Sequence, residues 1–166
     1  MIGDVEKLLR ILETGTRDEI WEAAKDLESL VLDISLFLLR RLRDPAKADT
    51  RAAAAYVLGF GHFSSARVPL EEVLNDSSED AFIRGHAAEA LAYIGDKESV
   101  RVLLKHMEDS DPGVRYWCIF ALGQIRDDRA LPSLRRVAEA KDDEHFDGRS
   151  LRAEACDAIA HIEGGR

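Results

Sequence analysis

Two groups of side chains have the types and spacing to do chemistry. Glu154, Asp157 and His161 stand at i, i+3 and i+7, and His86 with Glu89 at i, i+3. On helices these spacings gather each group on one face, and converging carboxylates and imidazoles suit a hard metal cation. Solvated charged faces share the same spacing, so no metal is assigned. Ser64-Ser65 falls in a turn and Cys118 at a core position, and neither has a histidine or carboxylate spaced to activate a nucleophile. Cys118 and Cys156 read as inert packing residues. His62, His106 and His145 show no ligand spacing and read as surface residues. The glycines are spread singly, with no glycine-rich run ahead of a lysine-bearing helix, so nothing cradles a phosphate and no cofactor is expected.

The elements that would position these groups must come from one domain, 1–166. The chain is 46% hydrophobic and 33% charged with 4 prolines, the composition of a helix-rich folded protein. Two cysteines are too few for a disulfide framework, which favours a reducing compartment. The N-terminus lacks a basic region ahead of an apolar run, and no stretch of about 18 apolar residues occurs. The expectation is a cytoplasmic chain that does not enter a membrane. A net charge of -9 repels phosphate backbones, so a basic protein or peptide is a better partner than nucleic acid.

Internal repeats decide the architecture. Segments 51–59, 84–92, 115–123 and 152–160 superimpose, each opening on arginine and passing through a Val-Leu, Ala-Leu or Ala-Ile pair; their starts are separated by 33, 31 and 37 residues. Such periods mark solenoids, in which each helix pair buries its apolar face by stacking on its neighbours. Val114, Cys118, Ala121, Leu122 and Ile125 form one helical stripe, and Ile83, Ala87, Ala90, Leu91 and Ile94 repeat it. Gly59, Gly61 and Gly95 read as chain-reversal glycines with φ > 0. Partner helices are expected over 34–43, 66–75, 99–108 and 130–139, and Asp111-Pro112 as an N-cap with proline at the first helical position. A divergent helix pair, around 5–12 and 20–30, precedes them.

The units, with leucine-rich helix, Asp, short turn, Val-Arg and Ala-x-x-Ala-Leu-Gly, resemble the HEAT-like repeats of the phycobilisome-lyase type over about 31–162. Leu103-Leu104 followed by Asp109 to Val114-Arg115 carries the signature closely. The resemblance implies an all-α, right-handed solenoid (an α-α superhelix) of about five helix pairs or half-pairs. It also implies that Arg51, Arg84, Arg115 and Arg152 pair with aspartates of the preceding turns, Asp44, Asp76 and Asp109. As to activity, the family ranges over scaffolds, lyase subunits, hydroxylases and inhibitors. The chain is similar in outline to the HEAT-type iron hydroxylases, which rely on adjacent His-Glu pairs at the second and third positions of the Val-Arg helix. Here those positions hold Ala52-Ala53, Gly85-His86, Tyr116-Trp117 and Ala153-Glu154, so no pair is present.

The resemblance makes the Val-Arg helix the one facing the concave side. Counting from the residue before each arginine, positions 2, 3, 6 and 10 then project away from the core. They bring Tyr56, Phe60, His86, Glu89, Tyr93, Tyr116, Trp117, Phe120, Glu154, Asp157 and His161 to one surface, where patches of solvent-facing aromatics mark interaction sites. Residues 141–150 lengthen the loop before the last such helix and put Phe146 at the groove's rim, as a binding element or an unstructured tip. The expected function is a non-catalytic protein-interaction module, scaffold or inhibitor that receives a basic segment in this acidic, aromatic groove. The alternative is a metal-dependent or small-ligand enzyme using Glu154, Asp157 and His161.

Overall fold

The computed structural model describes residues 2–28, 35–44 and 48–164. The expected helix ends at Leu30 and Ile34 lie outside the described residues. Among the described residues ten α-helices follow one another as five pairs: α1 (Ile2–Thr14) with α2 (Arg17–Glu28), α3 (Ser35–Leu42) with α4 (Ala48–Phe60), α5 (Arg67–Asn75) with α6 (Ala81–Ile94), α7 (Val100–His106) with α8 (Pro112–Ile125), and α9 (Leu131–Ala138) with α10 (Leu151–Glu163). The second helix of each pair packs on the second helix of the next, so α2, α4, α6, α8 and α10 form a continuous inner row backed by the shorter outer helices. This is the helical solenoid that the repeat spacing predicts. The stripe residues Ile83, Leu91, Val114, Cys118 and Leu122 are buried between the rows, where burial pushes the Cys118 thiol far up and leaves it inert.

Stacking is close because of glycines inside the inner helices. Gly59 and Gly123 both lie in the last turn of their helices; a Cβ on Gly59 would stand 2.5 Å from Ala90 Cα, and one on Gly123 2.8 Å from Ala158 Cα. Among the described residues only Gly95 and Gly148 are glycines with positive φ, so the expectation of left-handed turns at Gly59 and Gly61 is corrected. In the Ala-Leu-Gly motif the glycine serves helix approach, because the next inner helix sets its backbone where a side chain would be. Glycine to alanine within a helix ordinarily stabilises by about 0.5–1 kcal/mol. Gly123→Ala is expected to do the reverse and cost about 1–3 kcal/mol in urea unfolding, as overpacking does. A stabilised variant would contradict the close approach.

Arginines link the units, one step further along than the resemblance implies. Each of Arg51, Arg84 and Arg115 donates to a backbone carbonyl of the turn or helix end before its own helix, namely Leu42 (2.9 Å), Glu79 (2.6 Å) and Asp109 (2.5 Å). Each also pairs with a carboxylate of the following unit: Glu79, Asp109 and Glu144 respectively. The expected pairing within a unit is thus corrected. Side chains at a helix start lean toward the N-terminus and the turns there, which places the guanidinium between two successive turns. Arg84 and Asp109 are both 9% exposed in their side chains and 2.8 Å apart, and removing one member of so buried a pair leaves the other uncompensated. His106, expected at the surface, is buried beside this pair, near Asn75 Oδ1 (3.1 Å) and Asp109 Oδ2 (3.4 Å). Burial lowers its proton affinity.

Candidate functional site

Rings from successive inner helices meet in tilted and edge-to-face contacts and form one ribbon across the inner row. Trp21 of α2 touches Tyr56 of α4 (centroids 5.8 Å apart), Tyr56 touches Phe60 (4.3 Å), and Phe60 touches Tyr93 of α6 (3.9 Å). The ribbon continues from Tyr93 to Phe120 of α8 (6.2 Å), then to Trp117 (5.6 Å) and Tyr116 (5.3 Å). All six predicted aromatics therefore come together, and Trp21, which the repeat pattern did not single out because its helix pair lacks the Val-Arg mark, extends them. Most are half-buried, since each ring lies partly on its neighbour. Tyr116 is 6% exposed, and its hydroxyl donates to Glu154 Oε2 at 2.8 Å; burial and this carboxylate raise its proton affinity. Position 2 is a packing position in the first three of these repeats: Ala52 and Gly85 are buried like Tyr116, and Trp117 lies across Gly85, where an added Cβ would meet its Cδ1 at 3.2 Å.

The extended loop is ordered by hydrogen bonds into a flap over this surface. Strands β1 (His145–Phe146) and β2 (Arg149–Ser150) pair antiparallel, with Phe146 opposite Arg149. Asp147 and Gly148 between them both have positive φ, 49° and 73°, which suits the right-handed twist of a two-residue hairpin. The Asp-Gly dipeptide was the readable signal, and strands of two residues each hid it. Ser150 caps α10 through Ala153 N (2.9 Å) and is itself bound by Asp143 (2.7 and 2.9 Å). Phe146 tucks into the space left by the missing side chain of Gly113, where a Cβ would lie 2.6 Å from its ring, and stacks 5.8 Å from Tyr116.

Between the N-terminal ends of α6 and α8 and this flap is a hollow of about 420 Å³, within the size range of small-molecule sites. Phe82, His86, Trp117 and Phe146 wall it, and Asp80, Asp111, Asp147 and Arg149 rim it. Asp80 and Asp111 are the N-caps of α6 and α8, as Asp111-Pro112 predicts for the latter. His86 Nδ1 lies 2.9 Å from Glu89 Oε2. An ionised carboxylate can only accept, so with Glu89 ionised Nδ1 is the donor of this hydrogen bond. The pair is largely enclosed, 15% and 11% exposed in its side chains, with Trp21 and Phe82 against the imidazole at 5.0 and 4.6 Å. The walls already attract cations: Arg17 lies over Phe82 at 5.6 Å, and Arg149 over Tyr116 and Trp117 at 5.6 and 5.9 Å.

The predicted ligand trio does not assemble. Glu154 is engaged by Tyr116, while Asp157 and His161 are exposed farther along α10. Among the described residues no group of three His, Cys, Asp or Glu side chains is placed to hold a metal ion. With no adjacent His-Glu pair in the repeats, the residues present do not fit the iron centre of the hydroxylases. Among the described residues no helix is long and apolar enough to cross a membrane.

A family model described as HEAT repeats matches residues 68–160. The chain is 38% identical over 79 residues to deoxyhypusine hydroxylase of Phaeosphaeria nodorum, a match covering 46% of this chain and 24% of that one. It is 37% identical over 107 residues to deoxyhypusine hydroxylase of Arabidopsis thaliana, covering 56% and 34%. It thus spans about a quarter to a third of the length of these curated relatives. Among solved structures, the CpcE–CpcF complex of phycocyanin lyase from Nostoc sp. PCC7120 is similar with TM-score 0.75 at 20% identity, over 96% of this chain and 65% of that one. A designed armadillo repeat protein in complex with peptide (KR)4 is similar with TM-score 0.55 at 16% identity, over 93% and 80%. The relatives named as hydroxylases overturn the expectation of a non-catalytic interaction module, scaffold or inhibitor, and favour the enzyme alternative. The physical reason is that aromatic and acidic side chains around a groove suit a cationic substrate as well as a cationic partner.

Proposed function

The chain belongs to the HEAT repeat family, and on that premise we propose that it works in an enzyme acting on a cationic side chain of a basic protein or peptide, as the part that holds this side chain and accepts its proton. The observation carrying this reading is His86, which lines the hollow and is bound on its Nδ1 by the enclosed Glu89, beside aromatic walls that already hold guanidinium groups. Deoxyhypusine, which the curated relatives' name gives as their substrate, is an amine-bearing side chain and meets that chemistry.

In this reading the ring faces of Trp117, Phe82 and Phe146 and the carboxylates of Asp80, Asp111 and Asp147 seat the cationic end. Closure by the flap keeps water from the amine. Nε2 of His86 takes a proton, and Glu89 holds the ring in the required tautomer and stabilises the imidazolium that results. No step is drawn through a metal centre, because the residues present do not fit one. The acidic balance of the chain, net charge -9, attracts a basic substrate and repels nucleic acid.

Titrating the protein with a peptide carrying one deoxyhypusine, followed by tryptophan fluorescence, tests the reading. Saturable binding is expected, at least about tenfold tighter than for the same peptide with a neutral norleucine, which corresponds to about 1.4 kcal/mol for the charged contacts. Equal affinity for the two peptides, or none for either, would contradict it.

A further inference from the structure

The cation seat above Tyr116 and Trp117 is filled by the chain itself. Arg149 of β2 stands at the rim of the hollow over these ring faces, with its guanidinium carbon 5.6 and 5.9 Å from the two ring centroids. The fold holds it there by three devices: Phe146, paired with Arg149 across the strands, is lodged against Gly113; the turn Asp147-Gly148 fixes the flap's reversal; and Ser150 anchors the flap's end to Asp143 and to the start of α10. The hollow's carboxylates, Asp80, Asp111 and Asp147, outnumber this one arginine. Arg149 is exposed, so leaving the rings returns its guanidinium to water at small cost.

We infer that this hollow is a subsite for one terminal alkylammonium group of the substrate, and that Arg149 is a tethered occupant which the incoming ammonium displaces. The inference rests on the reading that the groove takes a cationic side chain. Its consequence is that the flap sets a threshold: only a ligand bringing contacts beyond its ammonium end, such as a peptide lying along the aromatic ribbon, dislodges Arg149 efficiently. Specificity against free small amines then follows from competition within the chain.

The test uses the whole chain with butylammonium as probe and neutral 1-pentanol as its control, read by the indole resonance of Trp117 in NMR. Arg149→Gln, which keeps the strand and removes the charge, is expected to bind butylammonium about fivefold more tightly than the parent, on the scale of an exposed cation–π contact. Pentanol should bind alike to both. Arg149→Lys, a cation still, should behave as the parent, which also guards against an effect of flap disruption. No gain in Arg149→Gln, or an equal gain for pentanol, overturns the inference. Parallel titration with the deoxyhypusine peptide separates the two levels. If the parent binds that peptide while Arg149→Gln gains nothing for butylammonium, only the tethered-occupant inference fails. If the peptide is not bound while butylammonium gains, the substrate reading fails and the subsite stands.

Discussion

Leu122→Ala is expected to cost about 2–5 kcal/mol of stability, the range for emptying a fully buried leucine site. Leu122 is 0% exposed on α8, whose neighbours α6, α7 and α10 all contact it. The residue after it, Gly123, sits against Ala158 of α10 with no room for a side chain, so α10 is already at closest approach and cannot move in to fill the cavity. Solenoid stability is a sum of units and the interfaces between them, and α8 contributes to two such interfaces. Urea unfolding with an unchanged slope and a lower midpoint is the expected signature. A loss below about 1 kcal/mol would place Leu122 outside the shared core. Because Phe146 and the flap rest on the first turn of α8, the hollow should loosen with it.

His86→Ala is expected to lower turnover by about 10²–10⁴-fold, the usual worth of a positioned general base, while leaving substrate affinity within about threefold. The separation of the two quantities is what identifies the role. The rings of Trp117 and Phe146 and the rim carboxylates remain to hold the cation, whereas nothing else in the wall of the hollow offers an imidazole held by a carboxylate at 2.9 Å. Rate and affinity falling by the same factor would make His86 part of the aromatic wall rather than the proton acceptor. Unfolding measurements belong beside the kinetics, since truncation also removes contacts to Trp21 and Phe82.

The solenoid was legible because its signal is periodic. The arginine-led stripes gave the inner helices nearly to their ends, and Asp111-Pro112 marked the start of α8. What the sequence could not convey were relations between units. Gly59 looks like a turn glycine until Ala90 of the next helix is seen against it, and the arginines find their carboxylates one repeat onward, a choice that depends on the stacking distance. The aromatic ribbon was foreseen at Tyr56, Phe60, Tyr93, Tyr116, Trp117 and Phe120. Its end at Trp21 and Phe82 was not, because Trp21 lies in a pair without the motif and Phe82 precedes the counted positions. The pair of His86 and Glu89 was foreseen as a spacing, and its enclosure was not. Enclosure by Trp21, Phe82 and the hairpin is a property of three separate segments, and the hairpin itself was announced only by Asp147-Gly148.

The central claim is that the hollow seats a cationic side chain with its nitrogen against His86. Titrating the protein with a deoxyhypusine peptide while the His86 ring resonances are followed by NMR tests it most directly. Saturable shifts of that ring, absent with the norleucine peptide, are the result predicted. A peptide that binds saturably in the groove yet leaves the His86 resonances unmoved would contradict the claim.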